Sequence, residues 1–245
     1  MATFVLVHGS WQGSWCWGRV APHLRARGHV VHTPTLTGLG ERRHLASRDV
    51  DLGTQTRDVA NVLEFEDLSD AILVGHSYAG ILLPGVGDLA GDRLARIVYL
   101  EAAMAATGES LADLLGPELA GGLKAAVDGH DGWREPPVPL DLLQVTAPED
   151  VAWVAPRLTD NMYLPQTQPA QGASELARSI PRTFVWCDDP TGAHQDSPFF
   201  PVWSMFRERA EGLGWPVVTV PSGHEPMVTH PVELARLLDE IAPAA

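Results

Sequence analysis

The sequence predicts an α/β fold in which a mostly parallel, doubly wound sheet is covered by helices on both faces. Short β-rich runs alternate with stretches of helical apolar periodicity along most of the 245 residues. Residues with catalytic potential follow several of these runs, and the carboxyl ends of parallel strands meet at one edge of a sheet. The length and an apolar content of 45% indicate one large domain with a substantial core.

The predicted elements follow one another in regular order. Strands are expected near 3–7, 29–33, 71–75, 96–100, 182–187 and 216–220, and helices near 15–27, 54–66, 80–90, 200–212 and 231–241. Between residues 105 and 179 the pattern loosens into glycine pairs, proline pairs and short apolar patches. We therefore predict a core of residues 1–104 and 180–245, with residues 105–179 inserted as a helical cap over the active-site edge.

The strand at 71–75 runs into a motif typical of a serine nucleophile. Ser77 lies between small residues on a predicted sharp turn from strand to helix, which would hold its hydroxyl out at the end of the sheet. Such a turn brings backbone close to backbone, so small side chains are needed two positions before and after the serine. Gly75 and Ala79 occupy those positions.

The first strand leads into a loop suited to an oxyanion hole. A backbone N–H in such a loop can face the N–H of the residue after the nucleophile, which makes Ser10 and Tyr78 the predicted donors. Gly9 lets the main chain approach the site without a Cβ atom. His8, at the end of the strand, is interpreted as a structural residue that transfers no proton.

The last predicted strand ends in a loop that carries His224. In hydrolases that have a serine on such a strand-to-helix turn, the catalytic histidine comes far later in the chain, on a loop after the last strand. His224 has this position and is the predicted general base. The other histidines, His194 among them, have no comparable context. The acid must face His224, and Asp188, Asp189 and Asp196 all follow the strand at 182–187, so position alone leaves the choice open.

Three segments together resemble the branch of the α/β-hydrolase superfamily that contains plant hydroxynitrile lyases, plant methylesterases and bacterial pyrethroid-hydrolase-like esterases. They are residues 7–17, 34–40 and 75–80, and the similarity is weakest from about residue 105 to 180. In that family the acid opens a D-x-x-F-x-P stretch, which Asp196 to Pro201 matches here. The resemblance thus implies Asp196 as the acid, with Asp189 as second choice, although residues 190–194 look like an insertion.

Two positions distinguish the lyases of this branch from its esterases. The lyases have a threonine after the early histidine and a lysine after the catalytic histidine, whereas this chain has Gly9 and Glu225. A carboxylate there would repel a departing cyanide, so the chain resembles an esterase. The alternatives left open are a C–C lyase, a decarboxylase or a tailoring enzyme that uses the same site, and a non-enzymatic ligand receptor on this fold.

The expected activity is hydrolysis of small apolar or aromatic carboxylic esters through a Ser-His-Asp acyl-enzyme mechanism, which needs no cofactor or metal. The oxyanion loop and the cap are expected to line the substrate pocket. The predicted pocket residues are Gly9, Trp11, Trp153, Leu158, Met162 and Tyr163.

Composition restricts the partners. A formal net charge of −14 disfavours nucleic acid and anionic membrane surfaces, and no apolar run is long enough to span a bilayer. Cys16 and Cys187 lack metal-ligand spacing and are expected to be reduced thiols, in keeping with a cytoplasmic location. A small-molecule ester is the expected partner, and the sequence leaves a homodimer open.

Overall fold

The structure, a computed structural model, describes residues 1–172 and 174–242. Position 173 of the predicted cap and positions 243–245 of the predicted core lie outside the described residues. The strands are β1 Thr3–Val7, β2 Val30–His32, β3 Ala71–His76, β4 Leu94–Leu100, β5 Arg134–Glu135, β6 Asn161–Met162, β7 Arg182–Cys187 and β8 Val217–Val220. The helices are α1 Ala21–Ala26, α2 Leu52–Phe65, α3 Leu83–Ala90, α4 Leu111–His130, α5 Pro148–Val154, α6 Leu164–Thr167, α7 Glu175–Ser179, α8 Phe200–Gly212, α9 Pro226–Thr229 and α10 Pro231–Ile241.

Six strands form one parallel sheet in the order β2-β1-β3-β4-β7-β8, which confirms the predicted fold class. The crossover between β1 and β3 places β2 on one side and the later strands on the other. Loops after β1, β3, β4, β7 and β8 therefore meet at the carboxyl edge of the sheet.

The two faces of the sheet carry separate hydrophobic layers because successive side chains of a strand point to opposite faces. Val5 and Val7 of β1 pack in the layer that contains α2, α3 and α8. Phe4 and Leu6 pack in the opposite layer, with α1, α5, α9 and α10. The central strands are thus buried on both faces, which explains their nearly continuous apolar sequences.

The segment predicted as a cap contains α4 to α7 and the two short antiparallel strands β5 and β6. Helix α4 is broken at Gly116, whose φ of 74° and ψ of 169° are not helical. The division into core and cap stays a prediction. Among the described residues, no helix combines the length and apolarity needed to cross a membrane.

Candidate active site

Ser77 lies immediately after β3 in a strained backbone conformation, with a φ of 53°. Added bulk on either side would collide with neighbouring residues. A Cβ atom at Gly75 would lie 2.8 Å from Leu83 Cδ2, and one at Gly80 would lie 2.2 Å from the carbonyl oxygen of Ala103. The closest approach after the serine is thus at Gly80, one residue beyond the predicted Ala79. This tight packing holds the Ser77 hydroxyl out at the sheet edge.

His224 follows β8 and lies beside the serine. Its Nε2 is 2.9 Å from Ser77 Oγ, and its Nδ1 is 2.7 Å from Oε2 of Glu101. Two further bonds fix its backbone: its N–H donates to Gln144 Oε1 over 3.1 Å, and its carbonyl oxygen lies 2.8 Å from Nε2 of His76. The structure therefore brings together the predicted nucleophile and base, with a glutamate behind the base.

Glu101 directly follows β4 and is fully buried, with a φ of 40°. Its Oε1 accepts a hydrogen bond from the backbone N–H of Cys187 over 3.1 Å and lies 3.0 Å from Nε2 of His194. Burial by itself would raise the pKa of Glu101. The hydrogen bonds from His194 and His224, together with the positive charge that either imidazole carries when protonated, outweigh this effect and lower the pKa below its ordinary value. Glu101 is therefore a carboxylate at neutral pH.

The environment of His224 keeps its imidazole available as a base. Burial lowers its pKa, and the hydrogen bond and charge of Glu101 only partly compensate, so the net shift is downward from the ordinary value. The ring of Trp203 stacks on the imidazole at a centroid distance of 4.2 Å. An unprotonated, oriented imidazole of this kind can accept the proton of the Ser77 hydroxyl.

The sequence-based choice of Asp196, with Asp189 as second, is not met in the structure. Asp196 is exposed at the end of a short 3₁₀ helix, Ala193–Asp196. Asp189 accepts hydrogen bonds from the backbone N–H of Thr191 over 2.9 Å and of His194 over 3.2 Å, and so closes a turn. This turn directs His194 inward and leaves Asp196 exposed, while the carboxylate that is hydrogen-bonded to His224 is that of Glu101, directly after β4.

Glu101 and His194 escaped the sequence reasoning for different reasons. Glu101 is a carboxylate directly after the largely apolar strand β4, at the edge of the sheet where Ser77 also lies. That placement is a usable signal, since neighbouring parallel strands end together. His194 has no such local signal, because its burial depends on how the loop after β7 folds.

The loop after β1 lies against the nucleophile. A Cβ atom at Gly9 would be 3.0 Å from the Cβ of Ser77. Residues of the predicted cap hold this loop: Asn161 Nδ2 donates to Ser10 Oγ over 3.3 Å, and the N–H of Thr159 donates to the carbonyl of Trp11 over 2.9 Å. Ser10, whose N–H is a predicted oxyanion donor, thus lies in a restrained loop.

His8 has a structural environment. Its Nε2 accepts the N–H of Leu36 over 3.1 Å, so its Nδ1, 2.8 Å from the carbonyl oxygen of Gly9, donates. Burial lowers the pKa of His8 to about 4, so the imidazole is neutral at pH 7. Both ring nitrogens are occupied, and neither is free to transfer a proton.

A cavity that is partly open to solvent lies at Ser77. Its walls are mainly apolar, and they come from α4, from the start of α8 and from the loops after β1 and β3. The lining residues are Ser10, Trp11, Ser77, Tyr78, Glu101, Ala103, Leu111, Leu115, Leu123, Glu135, Leu143, Gln166, Phe199, Val202, Trp203, Phe206 and His224. An apolar lining with a few polar groups next to the nucleophile is typical of a site for a small organic molecule.

Of the predicted pocket residues, Trp11 lines this cavity, whereas Gly9 and the four cap residues are not among its lining residues. Trp153 stacks edge-on against Trp15, with ring centroids 5.3 Å apart. Leu158 packs against the second hydrophobic layer, and Met162 is buried in the first. Tyr163 is half-buried beside a separate surface depression. The sequence could not show these positions, because an irregular segment has no period that identifies its inward face.

Glu225 is buried next to His224, and its Oε2 accepts a hydrogen bond from Gln12 Nε2 over 2.7 Å. Burial raises the pKa of Glu225 to about 8. The carboxyl group is therefore largely neutral at pH 7, which corrects the expectation of a negative charge beside the site. The position still lacks the lysine that the resemblance assigns to the lyases.

Among residues 1–172 and 174–242, one buried group has metal-like spacing: ligand atoms of His76, His224 and Glu225 lie within 4.8 Å of one another. The chemistry of these donors does not suit a cation. Both nitrogens of His224 are engaged, by Ser77 and by Glu101. The carboxyl group of Glu225 keeps its proton at neutral pH.

Comparisons with known proteins agree with this architecture. The profile of the Alpha/beta hydrolase family matches residues 4–237. A carbendazim hydrolyzing esterase from Nocardioides sp. (strain SG-4G) is 40% identical over 97% of this chain and 98% of its own. The crystal structure of a pyrethroid hydrolase from Sphingobium faniae JZ-2 is 25% identical, with a TM-score of 0.73 and coverage of 99% of this chain and 98% of that chain.

An extracellular alpha/beta-hydrolase from a Paenibacillus species supports the fold alone, with a TM-score of 0.83 at 23% identity and full coverage of both chains. The profile match and the esterase relative both extend over nearly the whole chain. The resemblance noted in the sequence is thereby confirmed, and the chain is an ester-cleaving member of the alpha/beta hydrolase family.

Proposed function

We propose that the enzyme hydrolyses small apolar or aromatic carboxylic esters with a catalytic triad of Ser77, His224 and Glu101. The observation that carries the proposal is the unbroken hydrogen-bonded chain from Ser77 Oγ through both nitrogens of His224 to Glu101, with lengths of 2.9 Å and 2.7 Å. This is the arrangement of nucleophile, base and orienting acid that acyl transfer requires.

In the first step, His224 takes the proton of Ser77 while Oγ attacks the ester carbonyl, and the backbone N–H groups of Ser10 and Tyr78 stabilise the oxyanion. His224 then returns the proton to the leaving alcohol, which yields the acyl-enzyme. A water molecule attacks the acyl-enzyme with His224 again as base and releases the acid. Glu101 stays ionised throughout and stabilises the imidazolium that forms in each step.

The lining of the cavity supports apolar or aromatic groups on the substrate. Leu111 and Leu115 of α4 and Val202 and Phe206 of α8 are among the apolar residues that line it together with Ser77. A relative that hydrolyses carbendazim makes this compound a first candidate substrate. Trp11, on the loop after β1, is the predicted pocket residue we retain.

We also propose that the enzyme is cytoplasmic and binds neither nucleic acid nor membranes. This proposal is supported by a formal net charge of −14 and by two buried free cysteines, Cys16 and Cys187. A homodimer remains part of the proposal to be tested by light scattering.

The test compares wild-type protein with Ser77→Ala on p-nitrophenyl esters of short and medium acyl chains and on carbendazim. Both proteins are also treated with a fluorophosphonate and examined by intact mass. Turnover and single labelling of the wild type, both lost in Ser77→Ala, are expected. Labelling without turnover of any ester would refute ester hydrolysis and favour another reaction on the same residues. Absence of both would favour a receptor.

A further inference from the structure

A second buried histidine binds the carboxylate that orients His224. The side chain of His194 is 2% exposed, and its Nε2 lies 3.0 Å from Oε1 of Glu101. His224 takes the other oxygen, Oε2, at 2.7 Å. One buried carboxylate thus bridges two imidazoles, and the reaction outlined above gives His194 no task.

Hydrogen bonding around Gln144 determines the role of the first His194 nitrogen. Oε1 of Gln144 accepts the backbone N–H of His224 over 3.1 Å, and Nε2 of Gln144 donates to the carbonyl of Leu142 over 2.8 Å. These two backbone groups fix which end of the amide is oxygen. Nδ1 of His194 lies 3.0 Å from that same oxygen and must therefore donate a proton to it.

The second nitrogen of His194 also faces an acceptor. Oε1 of Glu101 already accepts the backbone N–H of Cys187 over 3.1 Å. Because a carboxylate has no proton to give, Nε2 of His194 must donate as well. An imidazole that donates from both nitrogens is an imidazolium.

The aromatic surroundings suit a cation. Trp203 stacks on His194 with a centroid distance of 4.7 Å and an interplanar angle of 6°, and the same indole stacks on His224. A cation over an indole face is stabilised by the ring quadrupole. Trp186 and Phe200 pack edge-on against the imidazole and exclude water.

The titratable groups around the two imidazoles come from several loops. Glu101 binds both rings, and Asp189 accepts the backbone N–H of His194 over 3.2 Å. His76 contacts the ring of His224, and burial keeps the pKa of His76 well below its ordinary value, so it is neutral. Glu225, next in sequence to His224, is largely protonated at pH 7. Glu101 is therefore the ionised group bonded to both rings.

We propose that His194 is a positioning residue held as an imidazolium, which fixes the second oxygen of Glu101 and partly offsets its charge. The inference rests on the proposed triad. It has two consequences for that triad: Glu101 stays ionised although it is fully buried, and the nearby positive charge opposes protonation of His224. His224 thereby remains a free base at lower pH than it would beside an uncompensated carboxylate.

The direct test is the protonation state of His194 in the intact wild-type protein. Long-range ¹H–¹⁵N correlation spectra of ¹⁵N-labelled enzyme at pH 8 report which ring nitrogens carry protons, and the signals that vanish in His194→Gln assign the residue. Protons on both nitrogens of His194 are expected, with one proton on His224. A bare nitrogen on His194 would overturn the proposal, and this result is independent of whether any ester is hydrolysed.

The kinetic test uses the pH profile of kcat/KM. His194→Gln retains an N–H donor for Glu101 but removes the charge, so the acidic limb is expected to move up by about one pH unit. His194→Phe removes both donors, and kcat should fall about tenfold or more with little change in KM. An acidic limb that stays in place in His194→Gln would refute the charge effect. His130→Gln, at an exposed histidine, is the matched control and should keep the wild-type profile.

Discussion

Replacing Glu225 by glutamine should stabilise the protein, and the gain should grow with pH. In the folded protein burial raises the pKa of Glu225 to about 8, against an ordinary value of 4.5. The unfolded chain therefore releases this proton at lower pH than the folded chain does. The contribution of the neutral Glu225 carboxyl group to the free energy of unfolding is therefore fully present below pH 4.5 and is lost as the pH rises to about 8. Glutamine does not titrate, and its amide oxygen can still accept the hydrogen bond of Gln12.

The magnitude follows from the two pKa values. At 1.36 kcal/mol per pKa unit, ionisation costs the folded state about 5 kcal/mol of stability once the pH exceeds 8. Glu225→Gln should accordingly match the wild type within about 1 kcal/mol at pH 5, gain about 3 kcal/mol at pH 7 and gain the full amount at pH 9.

The assay is urea unfolding followed by tryptophan fluorescence at pH 5, 7 and 9, with the free energy of unfolding extrapolated to water. Glu208→Gln, at an exposed position on α8, is the matched control and should change stability little at any of these pH values. A difference between Glu225→Gln and wild type that stays constant from pH 5 to pH 9 would show that Glu225 is not held neutral, and the reasoning would fail.

Three further outcomes are expected. In steady-state kinetics on one ester, Glu101→Gln should lower kcat by about 10³- to 10⁴-fold, whereas Asp196→Asn, at an exposed aspartate, should change kcat less than about twofold. The reverse order of the two effects would restore Asp196 as the acid. Because the pKa of His224 is lowered, the acidic limb of kcat/KM should lie below pH 6.5, and a limb above that value would contradict the effect of burial. Gly80→Ala places a Cβ 2.2 Å from the Ala103 carbonyl oxygen, so we expect a loss of about 2 to 4 kcal/mol in urea unfolding, and a loss below 1 kcal/mol would mean that the elbow relaxes readily.

Local sequence was sufficient to predict the sheet and to place Ser77 and His224 at its carboxyl edge. All six strands are short runs rich in apolar residues, and the four central ones are largely buried on both faces, so they can be recognised without tertiary information. Ser77 and His224 each follow a strand within a few residues, so their place at the carboxyl edge follows from chain order alone. The structure puts them within hydrogen-bond distance.

The partner of His224 could not be located in this way, because several strands end at the same edge and any of them can supply a carboxylate. The match of Asp196 to a family pattern is a local similarity of letters, and the turn closed by Asp189 displaces that pattern outward. The residues that line the pocket could not be predicted for a related reason. Residues of α4 and α8, which are far apart in the sequence, line the cavity together, whereas Trp153 and Tyr163 belong to a segment without clear periodicity.

Gln144 gives the region between β4 and β7 a constraint that matters for engineering. Its side chain binds both the backbone of His224 and the ring of His194. A Cβ atom added at Gly223 would lie only 2.6 Å from the Cβ of Gln144. If this segment were replaced by that of a relative to change substrate preference, the hydrogen bonds of Gln144 would be lost together with the lining residue Leu143. Chimaeras at this segment should keep residues 142–144 of the host, so that new selectivity is not obtained at the expense of turnover.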